Sequence, residues 1–311
     1  MPSVAARECS SIGRGPVFEA FRSRETALGA LPILRALPVR GRRTIGPWCF
    51  LDRYGPLSFS SGKPMDVAPH PHIGLQTVSW LLEGEVVHRD SLGAEAVARP
   101  GGVNIMTAGR GIAHSEETPR SNSGRLNGVQ LWIALPDAHR AVAPAFHPVA
   151  EVPRVALRGA IVRVVAGEFE GEAHPAPAYS DLVGIDVAVH RGERVSIPLR
   201  PEREHGVMLL GGDASFDRHP LEAGMLHDLG CGRSEADFHS REGARLLLIG
   251  GVPFGERLLM WWNFVARTAE EIAAAREEWE RGSGFGEVHG YDGPRSAAPP
   301  LAKFSPPGPA S

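Results

Sequence analysis

Short apolar runs, each closed off by glycine or proline, recur along most of the chain, and no other feature constrains its fold as strongly. Trp48–Arg53, Thr77–Leu82, Val103–Ala108 and Val129–Leu135 have the length of ordinary strands. So do Ala160–Val165, Leu182–His190, Arg194–Leu199, Gly206–Leu210 and Arg245–Ile249 in the second half. Gly84, Gly93 and Pro100-Gly101-Gly102 supply turns between them. With 37 glycines and 27 prolines in 311 residues, the chain is too heavily punctuated for long helices and reads as a β protein. Two successive regions of similar length and strand density predict a duplicated β-domain.

Composition narrows the function classes. A hydrophobic share of 42% supports a real core, which excludes wholesale disorder. The net charge of -3 leaves no basic surplus for a phosphate backbone, so direct nucleic-acid binding is disfavoured. No apolar run approaches the roughly 20 residues of a membrane span, and Met1 to Gly15 has no continuous hydrophobic stretch of the secretory kind. Cys9, Cys49 and Cys231 are few, odd in number and scattered, which predicts no disulfide framework and a cytoplasmic location. Thr268-Ala269-Glu270-Glu271 is a capping box leading into Ile272, Ala275 and Trp279 at helical spacing, so one helix docks by a single face.

Two short motifs carry the chemistry. His70-Pro71-His72 places imidazoles at i and i+2, which on a strand share one face about 6–7 Å apart. His114-Ser115-Glu116 repeats the spacing with an imidazole and a carboxylate. An HxH alone is usually a feature of a surface strand. The second pair and the strand–turn–strand signals between the two give it weight. If both faces turn into one barrel, His70, His72, His114 and Glu116 form a set suited to a divalent first-row metal. The absence of thiolates argues against a closed structural zinc site. In Thr107-Ala108-Gly109-Arg110-Gly111, glycines permit the bend that redirects the chain inward.

The run HPHIGLQTVSWLLEGEVVHRDSLG from His70, with PGGVNIMTAGRGIAHSE from Pro100, closely resembles the pirin family of the cupin superfamily. NGVQLWIALP from Asn127 and LLLIGGVPFGERLLMWWNFVARTAEEI from Leu246 extend the resemblance over most of residues 17–280. It implies an all-β bicupin: two antiparallel, jelly-roll-like β-barrels with short helices and a C-terminal helix. The expected organisation is a flexible segment 1–16, a metal-binding barrel 17–140 and a linker 141–153. A metal-free barrel 154–282 carrying a helix at 268–281 follows, and then an extended tail 283–311. Carried over by position, the metal ligands are His70, His72, His114 and Glu116.

The resemblance further implies one divalent metal, Fe(II) first, with Mn, Ni, Cu, Co or Zn as alternatives. Several bacterial members resemble quercetin 2,3-dioxygenases, so the expected activity is cleavage of a flavonol-like aromatic substrate with O2 and release of CO. Glu116 would act as the catalytic base. The alternative is a non-enzymatic metal or redox sensor that binds a protein partner. A cytoplasmic monomer is expected, with no membrane or direct nucleic-acid contact. One departure stands out: Gln76 occupies a position where pirins usually carry glutamate near the metal, which predicts altered surroundings for the ion. His88 is assigned a structural role and Cys49 to a buried small hydrophobe; Trp80 and Trp132 are assigned to core, with the lining of a cavity for an aromatic substrate as the alternative. The second half has no HxH or HxE, so no second metal site is expected.

Overall fold

The computed structural model describes residues 15–301, which form two large and two small antiparallel sheets and one two-stranded hairpin. The first large sheet runs in the order β2 (Arg24–Leu28), β3 (Leu31–Leu37), β4 (Trp48–Ser58), β11 (Arg125–Ala134), β6 (Leu75–Glu83), β9 (Val103–Thr107) and β12 (Ala145–Val149). Facing it is a small sheet of β5 (Asp66–His72), β10 (Ile112–Glu117), β7 (Val86–Asp90) and β8 (Glu95–Ala98). The second half repeats the plan. Its large sheet is β13 (Arg154–Leu157), β14 (Ala160–Phe169), β16 (Leu182–Val189), β23 (Ala244–Gly251), β18 (Glu204–Gly212), β21 (Met225–Gly230) and β1 (Pro16–Arg22), with β15 (Glu172–Ala173) beside β14. Its small sheet is β17 (Arg194–Pro198), β22 (Glu235–His239), β19 (Ser215–Phe216) and β20 (His219–Pro220). The fold is an all-β bicupin, and the duplication read from strand density is a strand-for-strand correspondence.

The correspondence breaks at the outer edge, where the sequence expectation needs correcting. Residues 17–22, placed by the sequence at the head of the first barrel, pair with β21 of the second. There Phe18 stacks on Phe216 and His227 at 5.2 and 5.4 Å. In the first barrel the equivalent place is taken by β12, inside the stretch 141–153 expected to be a linker. A short apolar run announces a strand but not its partner.

The two large sheets pack against each other through alternate residues. Val78 and Trp80 of β6, with Val103, Ile105, Leu131 and Ile133, share one apolar cluster with Leu182, Met208, Leu210, Leu247 and Ile249 of the second half. Both buried tryptophans of this seam find partners across it: Trp80 Nε1 donates to Asp186 and Trp48 Nε1 to the Gly250 carbonyl. Because side chains alternate along a strand, Thr77 and Ser79 then face the first barrel's interior. Gln76 falls on the seam side with Val78 and Trp80, donating to Thr107 Oγ1 and to the Pro177 carbonyl. The expected change in the metal's surroundings from a glutamine at this position is therefore corrected: the side chain bridges the two halves.

A hairpin of β24 (Leu259–Trp261) and β25 (Phe264–Ala266) leads into the helix α1 (Ala269–Arg281). Thr268 caps the helix by accepting from the Glu271 N–H, and Ile272, Ala275 and Trp279 are its buried face, as the spacing predicts. The described part of the expected extended tail, up to residue 301, is anchored. Phe285 stacks on Phe264, Ser296 N donates to the Pro69 carbonyl, and the Tyr291 hydroxyl donates to Asp66. Hairpin and tail thus lie against β5, the strand that carries the HPH motif, and the helix packs on the hairpin and tail. Cys49 is free and buried, as expected. No helix among the described residues is long and apolar enough to cross a membrane.

Candidate metal centre

Antiparallel pairing of β5 with β10 sets His114 directly opposite His70, and Ile112 opposite His72. The i,i+2 spacing then turns all three imidazoles inward, where a ring nitrogen from each lies within 4.8 Å of the others. All three are buried. Burial pushes His70 down to about 4 and holds His72 and His114 well below the usual histidine range. At neutral pH the cluster therefore offers uncharged rings, the form that binds a metal.

The outward nitrogens decide which inward ones are free. His70 Nδ1 lies 2.9 Å from the Ala68 carbonyl and His72 Nδ1 lies 3.1 Å from the Asn263 carbonyl. A carbonyl only accepts, so each ring keeps its proton on Nδ1 and leaves Nε2 bare. Asn263 sits at the tip of the β24–β25 hairpin, which is why the C-terminal elements matter to a site made by the first barrel. His72 Nε2 and His114 Nε2 are 3.0 Å apart. Two nitrogens each about 2.1 Å from one ion and at right angles to each other would stand about 3 Å apart, so the donor set fits a divalent first-row metal.

Glu116 is placed differently from its three partners. The pairing register of β10 against β5 slips between His114 and Glu116. The group of ligand atoms within 4.8 Å of one another contains the three imidazoles and not this carboxylate. Glu116 is buried opposite His88 on β7, and its Oε1 accepts from the Ser79 hydroxyl at 3.1 Å. Burial raises its pKa, opposed by His88 and by the Ser79 hydrogen bond. Ser79 Oγ also stands 2.8 Å from the Gln130 side-chain oxygen.

Sequence reasoning missed His88 and its partner Asp90. His88, read as structural, has its Nδ1 3.2 Å from His114 Nδ1 and its Nε2 3.0 Å from Asp90 Oδ2. The signal was present: His88-Arg89-Asp90 has the same i,i+2 spacing that exposed the other two motifs. Trp132 is in a core cluster, as read, and also packs its ring edge-to-face against His72 at 5.3 Å while stacking on Phe50 at 4.0 Å. Trp80 is core, fully buried in the seam. The second barrel's interior is filled by Val162, Val164, Ile185, Val187, Val207 and Leu246, among others. Among the described residues no group of metal-ligand type gathers there.

Comparison with known proteins places the chain. The Pirin family model matches residues 31–133 and the Pirin C-terminal cupin domain model matches residues 184–286. A Pseudomonas aeruginosa protein named "Putative quercetin 2,3-dioxygenase" is 44% identical over 274 residues, covering 88% of this chain and 87% of the relative. A pirin-like protein of Caulobacter vibrioides is 37% identical, covering 84% of this chain and 92% of the relative. The crystal structure of a quercetin 2,3-dioxygenase from Acinetobacter baumannii superimposes with a TM-score of 0.89 at 42% identity, over 92% of this chain and 96% of that one. With both barrels matched in order and the histidine cluster in the first of them, this chain belongs to the pirin family.

Proposed function

We propose that the chain is a metal-dependent dioxygenase that opens the central ring of a quercetin-like flavonol with O2 and releases carbon monoxide. One observation carries the reading: three neutral, buried imidazoles converge, and the outward nitrogen of every one is already engaged. The names of the relatives at 44% and 42% identity support the substrate class. When bound, a divalent metal, Fe(II) ahead of Mn, Ni, Cu, Co or Zn, supplies Lewis acidity toward the substrate oxygens and a route to O2 chemistry.

His70, His72 and His114 would hold that ion; Glu116 lies outside their group of mutually close ligand atoms and would be the fourth donor that the pirin resemblance implies. Glu116 is also the base. Its Oε1 is tethered by Ser79, which leaves Oε2 to take the proton of the flavonol 3-hydroxyl. Burial makes this carboxylate a better proton acceptor than an exposed one. Trp132, held flat by Phe50, offers an apolar wall beside His72 for an aromatic ring.

Anaerobic loading with each of the six metals in turn, followed by quercetin and air, tests the reading. The flavonol absorption band bleaches with one CO released per flavonol for at least one metal, and stays intact in metal-free protein. An unchanged spectrum with all six loaded contradicts the assignment.

A further inference from the structure

We propose that Asp90 and His88 form a positioning relay that locks His114 in the Nδ1–H form and so keeps its Nε2 lone pair directed at the metal. The inference rests on the metal site described above and concerns how one of its ligands is kept ready.

His70 and His72 are oriented by backbone carbonyls, which have no choice but to accept. His114 is not. Its outward neighbour is the Nδ1 of another imidazole, which either accepts or donates according to where its own proton sits. The alternative form of His114 has a ready partner, because an Nε2–H would donate to His72 Nε2 at 3.0 Å and consume the lone pairs that face the ion. Something must choose, and Asp90 does. Its Oδ1 is occupied by the Leu92 and Ala94 N–H groups at 2.9 and 3.1 Å, which fixes the carboxylate and aims Oδ2 at His88 Nε2. A carboxylate accepts, so His88 carries its proton on Nε2 and presents a bare Nδ1 to His114. Phe146 lies parallel to the His88 ring at 4.1 Å, which keeps the ring in that plane. All three relay groups are buried, so water does not substitute for any of them.

Asp90→Asn separates this role from simple packing. The amide oxygen keeps the Leu92 and Ala94 N–H groups, which turns its NH2 toward His88 Nε2. His88 must then accept at Nε2 and donate from Nδ1, and His114 is forced into the Nε2–H form, as when the aspartate of a serine-protease triad is replaced by asparagine. His88→Asn is the counterpart, since its amide oxygen takes the place of Nδ1 and still accepts from His114.

Two readouts on the intact protein test the relay. In metal-free protein labelled with 15N-histidine, the His114 nitrogens report Nδ1–H in the wild type and in His88→Asn, and Nε2–H in Asp90→Asn. In competition with a chromophoric chelator, Zn(II) affinity falls about 10- to 100-fold in Asp90→Asn and by less in His88→Asn. The proposal is overturned if Asp90→Asn keeps Nδ1–H and wild-type affinity, or if His88→Asn shifts the tautomer and weakens binding as much. A wild type that takes up no Zn(II) contradicts the metal site itself, while the nitrogen shifts still decide the relay.

Discussion

Replacing Gly74 with alanine probes the joint between the HPH strand and the C-terminal hairpin. Gly74 sits two residues after His72 at φ 71°, and a Cβ there would lie 2.0 Å from the Val265 carbonyl oxygen. The left-handed backbone costs an alanine about 1–2 kcal/mol. Relieving the overlap requires the hairpin to retreat by more than about 1 Å, given ordinary contact distances near 3.5 Å. That breaks the hydrogen bond from Val265 N to the Ile73 carbonyl, worth about 1 kcal/mol net, and strains those from Gly74 N to Gly109 and from Leu135 N to Gly74. The sum is about 3 kcal/mol. Gly192 is the control: its φ is 75° but nothing lies within 4 Å of its added Cβ, so only the backbone cost of about 1–2 kcal/mol applies. Urea unfolding of metal-free protein reads both, the difference appearing in the midpoint with unchanged slope. Because Asn263 rides on the same hairpin, Gly74→Ala also draws its carbonyl away from His72 Nδ1 and weakens metal binding about tenfold or more, whereas Gly192→Ala does not. Equal destabilisation by the two variants, or intact affinity in Gly74→Ala, would refute the argument that this turn braces the site.

Three further outcomes follow from the same geometry. Glu116→Gln retains the bound ion, held by three imidazoles, but loses about 10²–10⁴ in flavonol turnover; steady-state rates within a few-fold of wild type remove Glu116 as the base. Cys49, whose thiol burial pushes up to about 12, resists an aromatic disulfide reagent in the native protein and reacts at once in denaturant, so rapid native labelling contradicts the packing described. Finally, burial lowers His205 to about 3 and His174 to about 4 from the ordinary 6.5. As pH falls below about 6.5 the unfolded chain binds protons that the folded chain refuses until about pH 4, so stability declines through that window. Between pH 6.5 and 5 each ring accounts for about 1.6 kcal/mol of the loss. Denaturant midpoints of metal-free protein track the decline, and His205→Gln flattens it; an unchanged slope in that variant refutes the assignment.

What could be read from the sequence was whatever repeats over two residues. His70 and His72, or His114 and Glu116, share a strand face by local geometry alone, and the capping box around Thr268 is equally local. The resemblance to pirins then supplied the closed barrels that bring the faces together. What stayed hidden depends on register and on distant pairing. The slip between His114 and Glu116 sets the carboxylate apart from the imidazoles although the spacing puts them on one face. Gln76 lies on the seam rather than beside the metal because one residue of phase decides the face of a strand. The capture of β1 by the second barrel, and the docking of Tyr291 and Ser296 along β5, join segments more than 200 residues apart. His88 was overlooked because its role appears only once Asp90 and His114 are seen on either side of it.

Metal content and coordination of purified protein, compared between wild type and His72→Ala, test the central claim most directly. After Fe(II) loading and exhaustive desalting, the wild type should carry one ion per chain whose X-ray absorption is fitted by imidazole nitrogens at about 2.1 Å, and His72→Ala should lose it. An ion retained equally by both proteins, or a wild type that emerges with none, would contradict a centre built on His70, His72 and His114.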